Sequence, residues 1–258
     1  MVASRSSRTA TPADRSTRRY GDDLAHVHDA GFGALARGAA PGLLRLLRGN
    51  GIRDGLVVDL ACGSGIWARA LVEAGYDVLG IDLSPAMIRL ARRQAPGAAF
   101  RVGSLHRAPL PRCAAATCLG EGIGYLFDRG RGRDPLRALF TRVHAALAPG
   151  GLFIFDLIEP AAGGVSAAIR GWREGEGWAV LYESEEDARG RLLTRRITTF
   201  RRAGRSYRRV DEIHRLRLLP RGVVLRALRA AGFRARAVHR YGSHRLAPRR
   251  VGFIARKP

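Results

Sequence analysis

Val57-Val58-Asp59-Leu60-Ala61-Cys62-Gly63-Ser64-Gly65 reads as a short apolar strand running into a glycine turn, and Asp82 ends the next apolar run, nineteen residues after Gly63. Glycines at a strand-to-helix turn let the backbone approach a ligand, and the N–H groups and dipole at the helix start favour an anionic group. An acid closing the second strand can accept both hydroxyls of a ribose. Together they make a nucleotide-binding arrangement, open to two ligand classes. Gly63-Ser64-Gly65-Ile66-Trp67-Ala68 satisfies the dinucleotide pattern GxGxxA, which admits a nicotinamide cofactor. Asp59, just ahead of the glycines, would repel a pyrophosphate but suits an ammonium or loop N–H groups.

Outward from this turn, the spacing predicts a helix over 66–74 closed by Gly75, a strand over 77–81, and a helix to about 94 capped by Ser84 with Pro85 in its first position. Strands near 98–103 and 114–119, a helix over 135–147, a Pro149-Gly150-Gly151 turn and a strand over 152–158 continue the alternation. Such alternation specifies an α/β fold, a parallel sheet with helices on both faces. Upstream, helical spacing over 24–48 is expected to break into two helices at Pro41-Gly42. Downstream, residues 178–184, 191–201 and 206–218 alternate as strands, predicting an antiparallel insertion. A helix from Pro220 to about 231 and strands over 235–240 and 251–255 close the chain. The expected organisation is a disordered basic arm at 1–20, a core at 21–158 and 220–258, and an inserted lid at 159–219.

The 258 residues are 46% hydrophobic and 26% charged, without an apolar run long enough to span a membrane. The first nineteen residues lack the apolar core of a secretory signal, so the expected place is the cytoplasm. Cys62, Cys113 and Cys118 show neither disulfide parity nor zinc-type pairing, and no structural metal is expected. Of the net charge of +23, residues 189–258 carry +20, from 22 basic and 2 acidic side chains. That quarter could hold nucleic acid, but a solvated surface is the simpler reading.

Residues 58–65 with Gly80-Ile81-Asp82-Leu83-Ser84, the segment 147–156, and Ala230-Ala231-Gly232-Phe233 resemble a class I S-adenosylmethionine-dependent methyltransferase over most of the chain. Within that family the lid placement and a Glu-x-His strand are similar to bacterial amino-sugar and small-amine methyltransferases. The resemblance implies a doubly wound, Rossmann-like seven-stranded sheet with a reversed final strand and an antiparallel β insertion after the fifth. It implies S-adenosyl-L-methionine as cofactor, with Gly63 and Gly65 under the methionine carboxylate, Asp82 on the ribose, and Leu83 and Met87 flanking the adenine. Ser104 replaces the acid many relatives carry after the third strand, so Leu105 could supply a backbone N–H. Asp59, Ala61 and Leu119 complete that site.

The acceptor is expected near the end of the fourth strand, where an Asn-Pro-Pro-aromatic segment, the mark of base-amino methylation, is missing. Glu121 there offers a carboxylate for an ammonium, with a helix-start acid satisfied by backbone N–H groups as the alternative. Glu212 and His214 share the apolar face of a lid strand and make a second catalytic candidate, with a hydrogen-bonded core pair as the alternative. Tyr20, His28, Tyr125, Tyr182 and Tyr207 are candidate acceptor contacts, with Trp172, Trp178 and Tyr241 as further aromatics. The expected activity is methyl transfer to a small molecule, N-methylation before O-methylation. An RNA methyltransferase, a non-catalytic cofactor-binding protein and a nicotinamide enzyme remain alternatives, and the oligomeric state is open.

Overall fold

In the computed structural model, which describes residues 20–128, 134–161 and 168–258, two helices precede the sheet: α1 (Asp22–Gly31) and α2 (Ala34–Gly49). The break falls at Phe32-Gly33, and α2 runs through Pro41, against the expected split at Pro41-Gly42. Pro41 removes one helical hydrogen bond, but it and Arg37, whose carbonyl loses the partner, are both exposed, so water can replace it. Ala39, Leu43 and Leu47 are meanwhile fully buried and hold the helix to the core. Gly42 sits against the backbone of Tyr241, and a Cβ would stand 2.5 Å from its carbonyl carbon. Gly42→Ala should therefore lower stability by about 2–3 kcal/mol, a fall of roughly 5–10 °C in Tm by thermal melting.

The core follows as β1 (Leu56–Leu60), α3 (Ile66–Glu73), β2 (Asp77–Asp82), α4 (Pro85–Gln94), β3 (Ala99–Val102), β4 (Cys113–Cys118), α5 (Pro135–Ala146) and β5 (Leu147–Ile158). Ser84 caps α4 as expected, its Oγ accepting from the Met87 N–H at 3.2 Å. An antiparallel run comes next, β6 (Ile169–Gly175), β7 (Trp178–Glu186), β8 (Leu192–Ala203) and β9 (Ser206–Arg217). Then come α6 (Arg221–Ala230), β10 (Arg234–Val238), a hairpin of β11 (Arg240–Tyr241) and β12 (His244–Arg245), and β13 (Arg250–Arg256).

The main sheet has the order β10-β13-β5-β4-β1-β2-β3. β13 alone is reversed, antiparallel to both β5 and β10. The chain leaves β1 toward β2 and β3, then returns to β4 on the other side, so the strand order switches between β1 and β4, where α/β sheets bind ligands. Neighbouring residues of one strand serve opposite faces. Val58 and Phe153 pack with Phe140 and Phe253 under α5 and α6, whereas Val57 and Ile154 pack with Leu43, Leu47 and Trp67 under α2 and α3. Each fully buried side chain of this kind contributes about 1.5–3 kcal/mol.

Two local readings change. Pro149-Gly150-Gly151 lies inside β5 rather than in a turn before it; the β4–β5 register shifts there, and the Gly150 N–H donates to the Lys257 carbonyl at 3.0 Å. β6 carries no burial alternation because it is an edge strand exposed on both faces, which hides it from a pattern search.

The second sheet, β6-β7-β8-β9, packs Trp178, Val180 and Ile197 onto Leu24 and Val27 of α1. β9 joins the core at Tyr125, which bridges to Leu216. Many arginines of the basic last quarter turn back onto acids: Arg201 and Arg208 on Asp23, Arg196 on Glu185, Arg221 on Glu159. The expected arm at 1–20 lies, apart from Tyr20, outside the described residues. Among those described, no helix is long and apolar enough to cross a membrane.

Candidate active site

The glycine turn after β1 and the acid after β2 meet directly. The Gly63 N–H donates to Asp82 Oδ2 at 2.9 Å, and the Ser84 N–H to Asp82 Oδ1 at 2.8 Å. One carboxylate thus ties the loop to the start of α4. Burial pushes the Asp82 carboxyl above the usual carboxylate range, against the backbone hydrogen bonds that pull it down. Gly63 has φ 55°, and a Cβ there would meet open space, so a ligand can approach this backbone. Gly65 has a different task. It lies outside the cavity lining, and a Cβ there would stand 2.9 Å from Ala91 Cα, so it lets α3 start against α4.

Asp59 is buried under the loop. Trp67 Nε1 donates to Thr117 Oγ1 at 3.1 Å, and Thr117 Oγ1 donates to Asp59 Oδ1 at 2.7 Å. Burial raises the Asp59 carboxyl to about 7, with nearby Asp82 adding to it and the Thr117 hydrogen bond opposing it. A carboxyl whose pKa rises on folding stabilises the fold fully below its unfolded value, near 4, and loses that contribution as pH rises through 7. Asp59→Asn, which keeps the acceptor for Thr117 and cannot ionise, should gain on the wild type by about 2–4 kcal/mol between pH 4 and pH 8 in denaturant titrations.

Above the carboxyl ends of β1, β2 and β4 lies a cavity of about 740 Å³, roofed by the antiparallel sheet. Asp59, Ala61, Gly63 and Leu119 line it on the glycine-loop side, and Asp82, Leu83 and Met87 along α4. Ser104 and Leu105 line it after β3, with Asp128 beside them. Burial pushes Asp128 up, but hydrogen bonds from Ser104 and Arg107 outweigh it and leave the carboxyl below its usual range; its Oδ2 has no hydrogen-bond partner. An acid therefore stands near Ser104, contributed by a distant loop.

The other end holds Glu121, Tyr20, His28, Tyr125 and Tyr182, all expected. Gly120 and Glu121 N–H groups donate to Asp156, Oδ1 at 2.8 Å and Oδ2 at 3.1 Å, and fix Glu121 in a left-handed backbone, φ 62°. Glu121 Oε1 lies 3.2 Å from Arg195 Nη1 and 3.7 Å from Arg250 Nη2, while Oε2 has no partner. Arg195 also reaches the Tyr125 hydroxyl at 3.3 Å, and that hydroxyl is 3.0 Å from Tyr20 Oη. Burial raises both phenols, so each keeps its proton at neutral pH. Burial lowers His28 to about 4, which leaves a neutral imidazole with an unpartnered Nδ1. Glu186 faces the same space, ion-paired with Arg249 at 2.5 Å.

Besides Gly65, three candidates are not at the cavity. Tyr207 is 57% exposed at the far end of β9. Glu212 and His214 share the buried face as expected, but lie behind the wall, His214 at 0% exposure beneath the rings of Tyr20, Tyr125 and Phe127. Of the further aromatics, Tyr241 is buried and donates to the Phe155 carbonyl, Trp178 packs on α1, and Trp172 is exposed. Arg195 escaped the sequence reading, although it interrupts the apolar face Leu193–Ile197 of β8 as Glu212 and His214 interrupt that of β9. The four non-glycine residues with positive φ among those described, Tyr20, Ala61, Glu121 and Arg249, all line this cavity. Such backbone strain gathers at functional sites.

A methyltransferase-domain family matches residues 57–151. A dTDP-3-amino-3,6-dideoxy-alpha-D-glucopyranose N,N-dimethyltransferase of Streptomyces fradiae is 31% identical over 222 residues, 83% of this chain and 84% of the relative. The chain belongs to the S-adenosylmethionine-dependent methyltransferases. Its methyl donor is S-adenosyl-L-methionine. A glycine/sarcosine N-methyltransferase of Parasynechococcus marenigrum is 32% identical over 154 residues, 55% of the methyltransferase described here and 52% of the relative. Among solved structures, a sugar N-methyltransferase from Streptoalloteichus sp. superposes with a TM-score of 0.73 at 23% identity, covering 100% of this chain and 98% of that one. An amino pentose methyltransferase from Micromonospora echinaspora, solved with S-adenosylmethionine, superposes at 0.72 and 22%, covering 90% and 96%.

The methyltransferase cavity suits that donor. Its volume lies within the range of small-molecule sites. A carboxylate offers about four acceptor positions, so Asp82, with up to three taken by the Gly63, Ser84 and Leu83 N–H groups, keeps room for a ribose hydroxyl.

Proposed function

We propose that this methyltransferase methylates the amine of a small molecule, an amino sugar foremost, and that the antiparallel sheet is the lid and specificity wall of its acceptor site. The observation that carries the reading is Glu121, a buried carboxylate at the end of β4 that lines the cavity and whose Oε2 is unpartnered. The donor supplies an electrophilic methyl on a sulfonium. The chain's own residues orient the acceptor, exclude water and manage one proton, since alignment accounts for most of the acceleration of such a displacement. An amine reaches the site mainly as an ammonium. Glu121 Oε2 holds it and takes its proton, leaving the lone pair toward the methyl. Arg195 and Asp156 keep the carboxylate and its backbone in place. Val180, Leu193 and Ile197 close the walls against water, while Glu186 and Arg249 stand ready for ring hydroxyls.

The Streptomyces fradiae relative, named as an N,N-dimethyltransferase of a nucleotide-linked amino sugar, supports this acceptor class. Incubating the protein with S-adenosylmethionine and dTDP-3-amino-3,6-dideoxyglucose, then measuring S-adenosylhomocysteine and product mass, tests it. N-methylated product is expected. Turnover of phenols but of no amine would overturn the reading, as would no turnover across amines and phenols alike.

A further inference from the structure

We infer that Glu212, buried in β9 behind the cavity wall, is a positioning residue for methyl transfer: its carboxylate latches the backbone at Tyr20 and Gly21 and so sets the Tyr20 phenol between the two halves of the cavity. The kinetic part rests on the proposed acceptor site; the latch itself does not.

The Gly21 N–H donates to Glu212 Oε1 and the Tyr20 N–H to Oε2, both at 2.9 Å. Tyr20 has φ 50°, and a left-handed residue beside an ordinary one turns successive N–H groups toward a common anion. The carboxylate fills that concavity with one oxygen for each donor. On its other side His214 Nε2 lies 3.0 Å from Oε2. The Glu212 side chain is 1% exposed, and the described ion pairs give it no arginine. A buried carboxylate held mainly by two backbone N–H groups from the other end of the chain adds little that an apolar residue would not give the sheet. Its specific effect is on the segment it grips.

That segment is gripped from the cofactor side as well. Ser84 Oγ donates to the Tyr20 carbonyl at 2.7 Å, and the Ser84 N–H donates to Asp82. A continuous chain of hydrogen bonds therefore runs from His214 and Glu212 on the lid, through the Tyr20 backbone, to the acid beside the glycine loop. The Tyr20 side chain spans the same boundary. Its ring packs on Ala86 and Met87 toward the cofactor half, and its hydroxyl meets Tyr125 Oη, itself bonded to Arg195, in the acceptor half. With the latch closed the phenol has one position; with it open, its hydroxyl no longer stays on Tyr125 and Arg195 in the acceptor half.

The test uses the full chain with Glu212→Gln, in which one acceptor oxygen becomes an NH₂ facing an N–H donor. With S-adenosylhomocysteine bound, hydrogen exchange should show protected amides at residues 20 and 21 in the wild type and at least tenfold faster exchange there in the variant, while β9 keeps its protection. Unchanged exchange at 20 and 21 overturns the latch, and this arm needs no acceptor. With dTDP-3-amino-3,6-dideoxyglucose, Glu212→Gln should lower kcat tenfold or more and leave KM for S-adenosylmethionine within threefold. Tyr20→Phe should also lower kcat, and the double variant should be no slower than the slower single one. Effects that multiply would assign Glu212 to the fold alone and overturn the positioning role. Should Glu212→Gln not fold, Glu212→Asp, one methylene shorter, carries the same readouts. A wild type that ignores the sugar overturns the acceptor reading, and exchange then decides the latch.

Discussion

Replacing Asp82 by alanine should weaken S-adenosylhomocysteine binding by two to three powers of ten in calorimetry. The carboxylate does two things at once. It receives the Gly63 and Ser84 N–H groups and so fixes both the glycine loop and the start of α4, and in the ribose assignment it also accepts from the sugar. Hydrogen bonds to a charged group are worth about 1.5–3 kcal/mol each, and tenfold in affinity is about 1.4, so losing one to the ligand costs about one to two powers of ten. The orphaned loop N–H groups would add to the loss. Because burial raises this carboxyl, wild-type affinity should also fall on acidification sooner than for an ordinary aspartate. An Asp82→Ala affinity within threefold of wild type would remove the ribose assignment.

Glu121→Gln should lower kcat a hundredfold or more with an amine acceptor while leaving S-adenosylhomocysteine affinity within threefold. The amide has nearly the shape of the acid, and Gly120 and Glu121 would still be held by Asp156, so the loop should stay in place. What is lost is an oxygen that can take a proton, an effect typically of 10²–10⁴. The defect should shrink at high pH, where the amine arrives already deprotonated. A kcat within threefold at neutral pH would move the proton to another group. A raised KM with unchanged kcat would leave Glu121 as a binding group alone.

The meeting of the glycine turn with Asp82 was legible because its parts are contiguous in sequence. Gly63 and Asp82 belong to one strand–helix–strand unit, and the local spacing alone brings them together. The other end of the cavity is assembled from β4, β7, β8, the loop before β13 and the segment before α1, and no short pattern joins Arg195 to Glu121 or Asp128 to Ser104. The alternation of β9 was informative up to a point. It placed Glu212 and His214 on a buried face in need of partners, but the partners are backbone N–H groups nearly two hundred residues away. Pro41 and Gly65 misled for a common reason. At each, a local rule gave way to close packing: Gly42 of α2 against Tyr241, and the start of α3 against Ala91.

The left-handed backbone at Tyr20, Ala61, Glu121 and Arg249 bears on how such an enzyme can change. Glycine would relax each position, so selection for heat resistance alone would drift toward it, at the cost of the side chains that line the chamber. Descendants that abandon methylation should lose these four residues early, and those that adopt a new acceptor should keep the twists while exchanging the groups mounted on them.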